Sequence, residues 1–126
     1  VACRISELVI EARDPELLAG FWCAVLGYVE LGREDGAIEI GPAGVGFGGA
    51  QPTIVLSPNA EVRSGKYRLH IDVSPTDRDQ EAELERLLEV GARFADVGQS
   101  GEESWHVLAD PEGNEFCLLR KRVVEV

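Results

Sequence analysis

The chain repeats itself once, and that repeat limits the folds open to its 126 residues more than any other feature. Val25-Leu26-Gly27-Tyr28 in the first half matches Glu89-Val90-Gly91-Ala92 in the second, and Thr53-Ile54-Val55-Leu56 matches Glu115-Phe116-Cys117-Leu118. Glu7 precedes Gly27 by nearly the same interval as His70 precedes Gly91. The first half opens with an alternating run over 5–12, followed by Asp14 as a helix N-cap and Pro15 at the first helical position. An amphipathic helix is predicted over about 16–26, with Leu17, Leu18, Phe21, Trp22 and Val25 on one stripe and Gly27 as its stop. Strands follow over 28–31, 37–40 and 53–57, and the Gly-rich stretch 41–49 reads as an irregular or mobile loop. The second half gives the same order: a strand over 67–73, a helix over about 77–90 ended by Gly91, strands over 92–96 and 105–109, the turn Asp110-Pro111-Glu112-Gly113-Asn114, and a last strand over 115–120. The fold class is therefore α+β, with two βαβββ modules over about 4–58 and 66–122, joined near 58–66. Neither half can cover both faces of its own sheet, so the two are expected to pack as one domain over 1–126.

Charge narrows the partners. With 12 Lys+Arg against 23 Asp+Glu, the formal charge is −11, and such a field repels nucleic acid and anionic membrane surfaces. At 44% hydrophobic and 28% charged residues the composition is that of an ordinary soluble protein, and no run of apolar residues is long enough for a transmembrane helix. Val1-Ala2-Cys3-Arg4 lacks an apolar h-region, so no signal peptide is expected, and the absence of Met sets the expectation that the chain begins after its initiator. Cys3, Cys23 and Cys117 form no CxxC spacing. Reduced thiols in a cytoplasmic protein are expected, with packing as the role of Cys23 and Cys117 rather than a zinc set. Gly44, Gly46, Gly48 and Gly49 do not make a phosphate loop, since no Lys-Ser/Thr ending leads into a helix. The charged run 77–86 reads as a solvated helix face, and Lys121 and Arg122 as surface residues.

Strand parity selects the chemistry. The more apolar set of alternate residues should face each module's helix: Leu8, Ile10 and Ala12 in the first strand, Leu69, Ile71 and Val73 in the fifth, Phe116 and Leu118 in the last. Glu7, Val9 and Glu11, then His70 and Asp72, then Glu115, Cys117 and Leu119, are left on the opposite face. Glu7, His70 and Glu115 thus share one face, and two carboxylates with an imidazole there fit a divalent-metal site of mixed O and N ligands. Trp22 belongs to the helix stripe and reads as core. Trp105 and His106 alternate, so one faces the cavity and the other the helix side, and parity does not decide which. His106 is a reserve ligand or proton carrier, because imidazole titrates near neutrality.

The combination of Asp14-Pro15, Phe21-Trp22, Leu26-Gly27-Tyr28, Leu69-His70-Ile71-Asp72-Val73 and the run from Trp105 to Cys117 resembles the vicinal oxygen chelate superfamily. That group holds glyoxalase I, extradiol dioxygenases and the bleomycin- and fosfomycin-resistance proteins, and the chain is most similar to its small glyoxalase-like domain proteins. The resemblance implies paired βαβββ modules in an open, cup-like barrel of about eight strands, commonly dimeric. It also implies an ion held at four positions, one on the first and one on the last strand of each module. Carried over, these fall on Glu7, about Thr53, His70 and Glu115. Glu7 replaces the usual His or Gln but can still ligate, whereas Thr53 stands where a Glu is expected, so three of the four ligands remain. Restoring the acid by Thr53→Glu is expected to strengthen metal binding.

Three functions follow. The first is a metal-dependent, glyoxalase-like lyase or isomerase. A Ni, Zn, Mn or Fe ion on Glu7, His70 and Glu115 would take two neighbouring oxygens of a small substrate and stabilise an enediolate as Glu115 moves the proton. Trp105, His106 and Thr53 would contact the substrate. The second is a non-catalytic binder of small molecules, of the bleomycin-resistance kind. The third is a structural or regulatory partner with a vestigial pocket. Open strand edges, together with the resemblance, predict a homodimer.

Overall fold

The computed structural model describes residues 2–61 and 65–126, and the chain divides into two compact units, Val1–Arg63 and Ser64–Val126. The predicted joint near 58–66 lies partly outside the described residues. Each unit has the order strand, helix and three strands, so the α+β class and the βαβββ modules are what the structure contains.

In the first unit these are β1 (Glu7–Ala12), α1 (Pro15–Leu26), β2 (Val29–Glu34), β3 (Ala37–Gly41) and β4 (Thr53–Pro58). The sheet order is β1-β4-β3-β2, with β1 parallel to β4 and the other pairings antiparallel. Helix α1 begins where an Asp-Pro pair dictates. The Asp14 carboxylate accepts the Leu17 N–H at 3.2 Å, and Pro15 needs no partner for a missing N–H. It ends at Gly27, whose φ of 69° is left-handed and whose N–H donates to the Cys23 carbonyl. Leu18, Phe21, Trp22 and Val25 are buried against Ile38, Ile40, Ile54 and Leu56 of the sheet, with the Phe21 and Trp22 rings edge-to-face at 5.2 Å. Leu17, expected on this stripe, is half exposed at the stripe's margin. The Gly-rich segment is irregular, as expected, and the Arg4 guanidinium holds it by donating to the carbonyls of Gly48 and Gly49 at 2.8 and 2.7 Å.

The second unit contains β5 (Ile71–Val73), α2 (Gln80–Glu89), β6 (Arg93–Phe94), β7 (His106–Ala109) and β8 (Glu115–Leu118) in the order β5-β8-β7-β6. Here β5 departs from expectation. It starts at Ile71 instead of residue 67, and Leu69, assigned above to the helix-facing set, is 87% exposed. The reason is the partner strand. β5 pairs only with β8, in parallel from Ile71↔Phe116, and β8 begins at Glu115, directly after the Asp110–Asn114 turn. Residues before His70 therefore have no strand to pair with. Helix α2 begins three residues later than expected, because the Asp79 carboxylate caps the Ala82 N–H at 2.9 Å. Leu84, Leu87, Leu108, Phe116 and Leu118 form this unit's core, and the Gln80 amide donates to the carbonyls of Ser104 and Leu118 at 2.8 and 3.2 Å, tying the helix start to the end of β8.

Candidate functional site

A cavity of about 460 Å³ opens on the second unit. Its floor follows from alternation along three neighbouring strands. Asp72, Cys117 and Val107 are register partners across β5, β8 and β7, so they form one row on the same face, and all three line the cavity. His70, Trp105 and Glu115 line it as well, each two residues before a member of that row. His70, Asp72, Glu115 and Cys117, set on one face by parity, all line the cavity, whereas Leu69, assigned to the helix-facing set, lines it too.

The polar groups of the floor are connected. His70 Nε2 lies 3.1 Å from Asp72 Oδ1, with both side chains about half exposed. Cys117 is buried, and burial pushes its thiol above the ordinary range, aided by the Asp72 charge and by the hydrogen bond Asp72 accepts from it. One ligand atom from each of His70, Asp72 and Cys117 lies within 4.8 Å of the other two. Imidazole nitrogen, carboxylate oxygen and thiol sulfur on one sheet face form a donor set suited to a borderline divalent ion.

The alternation of Trp105 and His106 is resolved. Trp105, 44% exposed, forms cavity wall, and His106 turns to the helix side, where its Nε2 is 3.4 Å from Glu81 Oε1 and its ring meets Phe94 edge-on at 6.3 Å. Glu103 closes another part of the wall through its own loop. Its carboxylate accepts the N–H groups of Ser100 and Gly101 at 2.8 and 2.9 Å and the Ser100 hydroxyl at 3.0 Å.

The equivalent corner of the first module carries different chemistry. Glu7 and Thr53 are register partners at the head of β1 and β4. Thr53 is fully buried, and its hydroxyl donates to Glu7 Oε2 at 3.1 Å and to the Ser6 carbonyl at 3.5 Å. Where the resemblance expects a second acid, this module holds a hydrogen bond onto the first one. Asp72 and Cys117 line the cavity beside His70 and are not among the candidate ligands read from the sequence. Parity had already set both on the cavity face, but the thiol was assigned to packing.

A family model described as a glyoxalase-like domain matches residues 7–119. No curated protein matches the chain. Among solved structures, a glyoxalase/bleomycin resistance protein/dioxygenase family enzyme from Burkholderia phytofirmans PsJN is similar at a TM-score of 0.65 and 19% identity, covering 92% of this chain and 97% of that one. The fosfomycin resistance protein FosX from Mesorhizobium loti gives a TM-score of 0.66 at 14% identity, covering 94% and 92%. A mutant of the FosX protein from Listeria monocytogenes, complexed with Mn(II) and 1S,2S-dihydroxypropylphosphonic acid, gives 0.69 at 14% identity, covering 94% and 90%.

Proposed function

The chain belongs to the glyoxalase-like domain family, and from that premise we propose that it is a divalent-metal-dependent enzyme moving a proton on a small substrate with vicinal oxygens. The observation that carries this reading is the shared cavity face of His70 and Glu115, a metal-capable nitrogen and a carboxylate at the two family positions of one module. Mn(II) in the Listeria FosX complex supports the choice of a divalent ion. When bound, the ion supplies Lewis acidity, which withdraws charge from the neighbouring oxygens of the substrate. His70 and Glu115 would hold it within the second module. Glu115 accepts the substrate proton and returns it, the task of a carboxylate general base. The half-exposed Trp105 offers an apolar wall for the carbon skeleton.

The experiment is metal loading followed by proton exchange. Purified chain incubated with Ni²⁺, Zn²⁺, Mn²⁺ or Fe²⁺ and then dialysed is expected to retain one ion per chain, and His70→Ala to retain none. Loaded protein should wash deuterium from solvent into small α-hydroxy or α-oxo compounds. Glu115→Gln is expected to slow that exchange by about 10²–10⁴-fold, the usual contribution of a positioned base. Retention of no ion by the parent chain would overturn this function.

One observation favours a second reading. Thr53 donates to Glu7, which occupies an oxygen of a family-position carboxylate. A non-catalytic binder that encloses a small molecule against Trp105 needs neither that carboxylate nor turnover. Ligand-induced thermal shift without ion uptake would select it.

A further inference from the structure

His70 has two potential partners on its own sheet face besides the family positions. Asp72 lies two residues along the chain from it on the same face, and Cys117 is the register partner of Asp72 on the adjoining strand. The three ligand atoms already lie within 4.8 Å of one another, and the His70–Asp72 distance is 3.1 Å. We infer that the ion of this cavity is thiophilic, of the zinc or cobalt type, and is bound within the second module by His70, Asp72 and Cys117, with Glu115 left to act on the substrate proton. The inference rests on the reading that the cavity takes a divalent ion, and it changes which side chains accompany His70.

Geometry and softness both support that set. Tetrahedral bonds of the usual zinc lengths separate donor atoms by about 3.3–3.6 Å. The cluster therefore has to draw in by at most about 1.2–1.5 Å relative to its 4.8 Å bound. The side chains that must move are the half-exposed ones, His70 and Asp72, at 53% and 47%. Cys117 is buried in β8 and serves as the fixed point. Three protein ligands leave a fourth position for water or substrate, the arrangement of a catalytic rather than a structural zinc site. Binding forms a metal–sulfur bond as the Cys117 thiol proton leaves to solvent, and no electron is transferred. A thiolate ligand disfavours Mg²⁺ and Ca²⁺, which prefer oxygen donors, and ranks Mn²⁺ below Co²⁺ and Zn²⁺.

Cobalt makes the sulfur visible. Full-length protein carrying Cys3→Ser, to remove the exposed thiol, is titrated with Co²⁺ alone and followed by absorption. A thiolate-to-cobalt charge-transfer band saturating at one ion per chain is expected, together with its displacement by Zn²⁺. Cys117→Ser should abolish the band. Asp72→Asn and His70→Ala should weaken cobalt binding by at least about 100-fold, the upper end of what a merely supporting residue costs. Glu115→Gln should keep the thiolate band, since under this inference its carboxylate is not among the ligands. Asp72→Asn alters a half-exposed side chain, so it tests the site even where a change at buried Cys117 disturbs folding. Cobalt bound without the thiolate band, and lost in Glu115→Gln but not in Cys117→Ser, would overturn this inference while leaving the proposed function standing. Absence of any cobalt binding would overturn both.

Discussion

Thr53 shows how one residue fixes what a corner of the fold can hold. It is fully buried, its hydroxyl is committed to Glu7, and a Cβ built at Gly41 would lie only 2.9 Å from its Cγ2 methyl. The corner is packed as well as bonded. Thr53→Glu, which the family pattern suggests would add a ligand, would set a buried carboxylate beside the part-buried one of Glu7. We expect it to destabilise the ion-free protein by about 3 kcal/mol, in the range for an uncompensated buried charge, with divalent ion restoring part of the loss. Thermal melts with and without Zn²⁺ check both halves of that statement. Asp110 is a comparable case in the other module. Completely buried, it accepts the N–H groups of Glu112 and Asn114 at 2.9 and 3.0 Å and the Asn114 amide at 2.8 Å, which shapes the turn that delivers Glu115 to β8. Asp110→Ala leaves three part-buried donors unmatched and should cost about 2 kcal/mol in urea unfolding. At this scale the sequence is readable where periodicity decides: strand parity for His70 and Glu115, the helix stripe for Trp22. It was not readable for Trp105 against His106, which needed the strand register. Cys117 is buried, as its packing role predicts, and a buried thiol has the same sequence pattern whether it packs or ligates.

Elements were legible where their ends are set by local chemistry and illegible where a partner sets them. Helix α1 begins and ends at Asp14-Pro15 and Gly27 because cap and stop are encoded within a few residues. β5 could not be bounded in this way. Its alternating pattern continues back to Tyr67, but the strand it pairs with does not, and pairing decides. The loop carrying Glu103 is the element whose stability should respond most directly to pH. The Ser100 N–H, then the backbone N–H of Glu103 itself, the Ser100 hydroxyl and the Gly101 N–H hold this carboxyl below the usual range. A lowered folded value means that its contribution is fully present above the ordinary carboxylate value of about 4.3 and is lost as pH falls through the folded value. Amide NMR shifts of Ser100 and Gly101 should therefore stay constant from neutrality down to about pH 5 and move only below it. At neutral pH, Glu103→Ala should speed exchange of those two amides several-fold while leaving the global melting temperature nearly unchanged, since the group is on the surface. Equal exchange in both proteins would show that the loop is held by other contacts.

At the scale of the whole molecule, two open sheets meet a strongly acidic composition. Each four-stranded sheet ends in edge strands, β1 and β2 in one unit and β5 and β6 in the other. Apolar side chains stand exposed on or next to these edges: Val9 at 61%, Leu69 at 87% and Phe94 at 63%. Exposed edges with apolar neighbours invite pairing, and a native chain covers them either with its other module or with a second copy. We expect a homodimer. Charge sets the condition under which it forms. Two chains of −11 each repel at long range, and this repulsion must be screened before apolar contact can hold them. The Debye length falls from about 30 Å at 0.01 M salt to about 8 Å at 0.15 M, so added salt should tighten this dimer, whereas one held by ion pairs would loosen. Sedimentation at micromolar concentration and 0.15 M salt should then give about twice the 13.7 kDa of one chain, with dissociation promoted by dilution into 0.01 M salt. A single-chain mass at both ionic strengths would mean that the edges are covered within one chain. Dissociation on adding salt would mean that charged groups, not the apolar edges, make the contact.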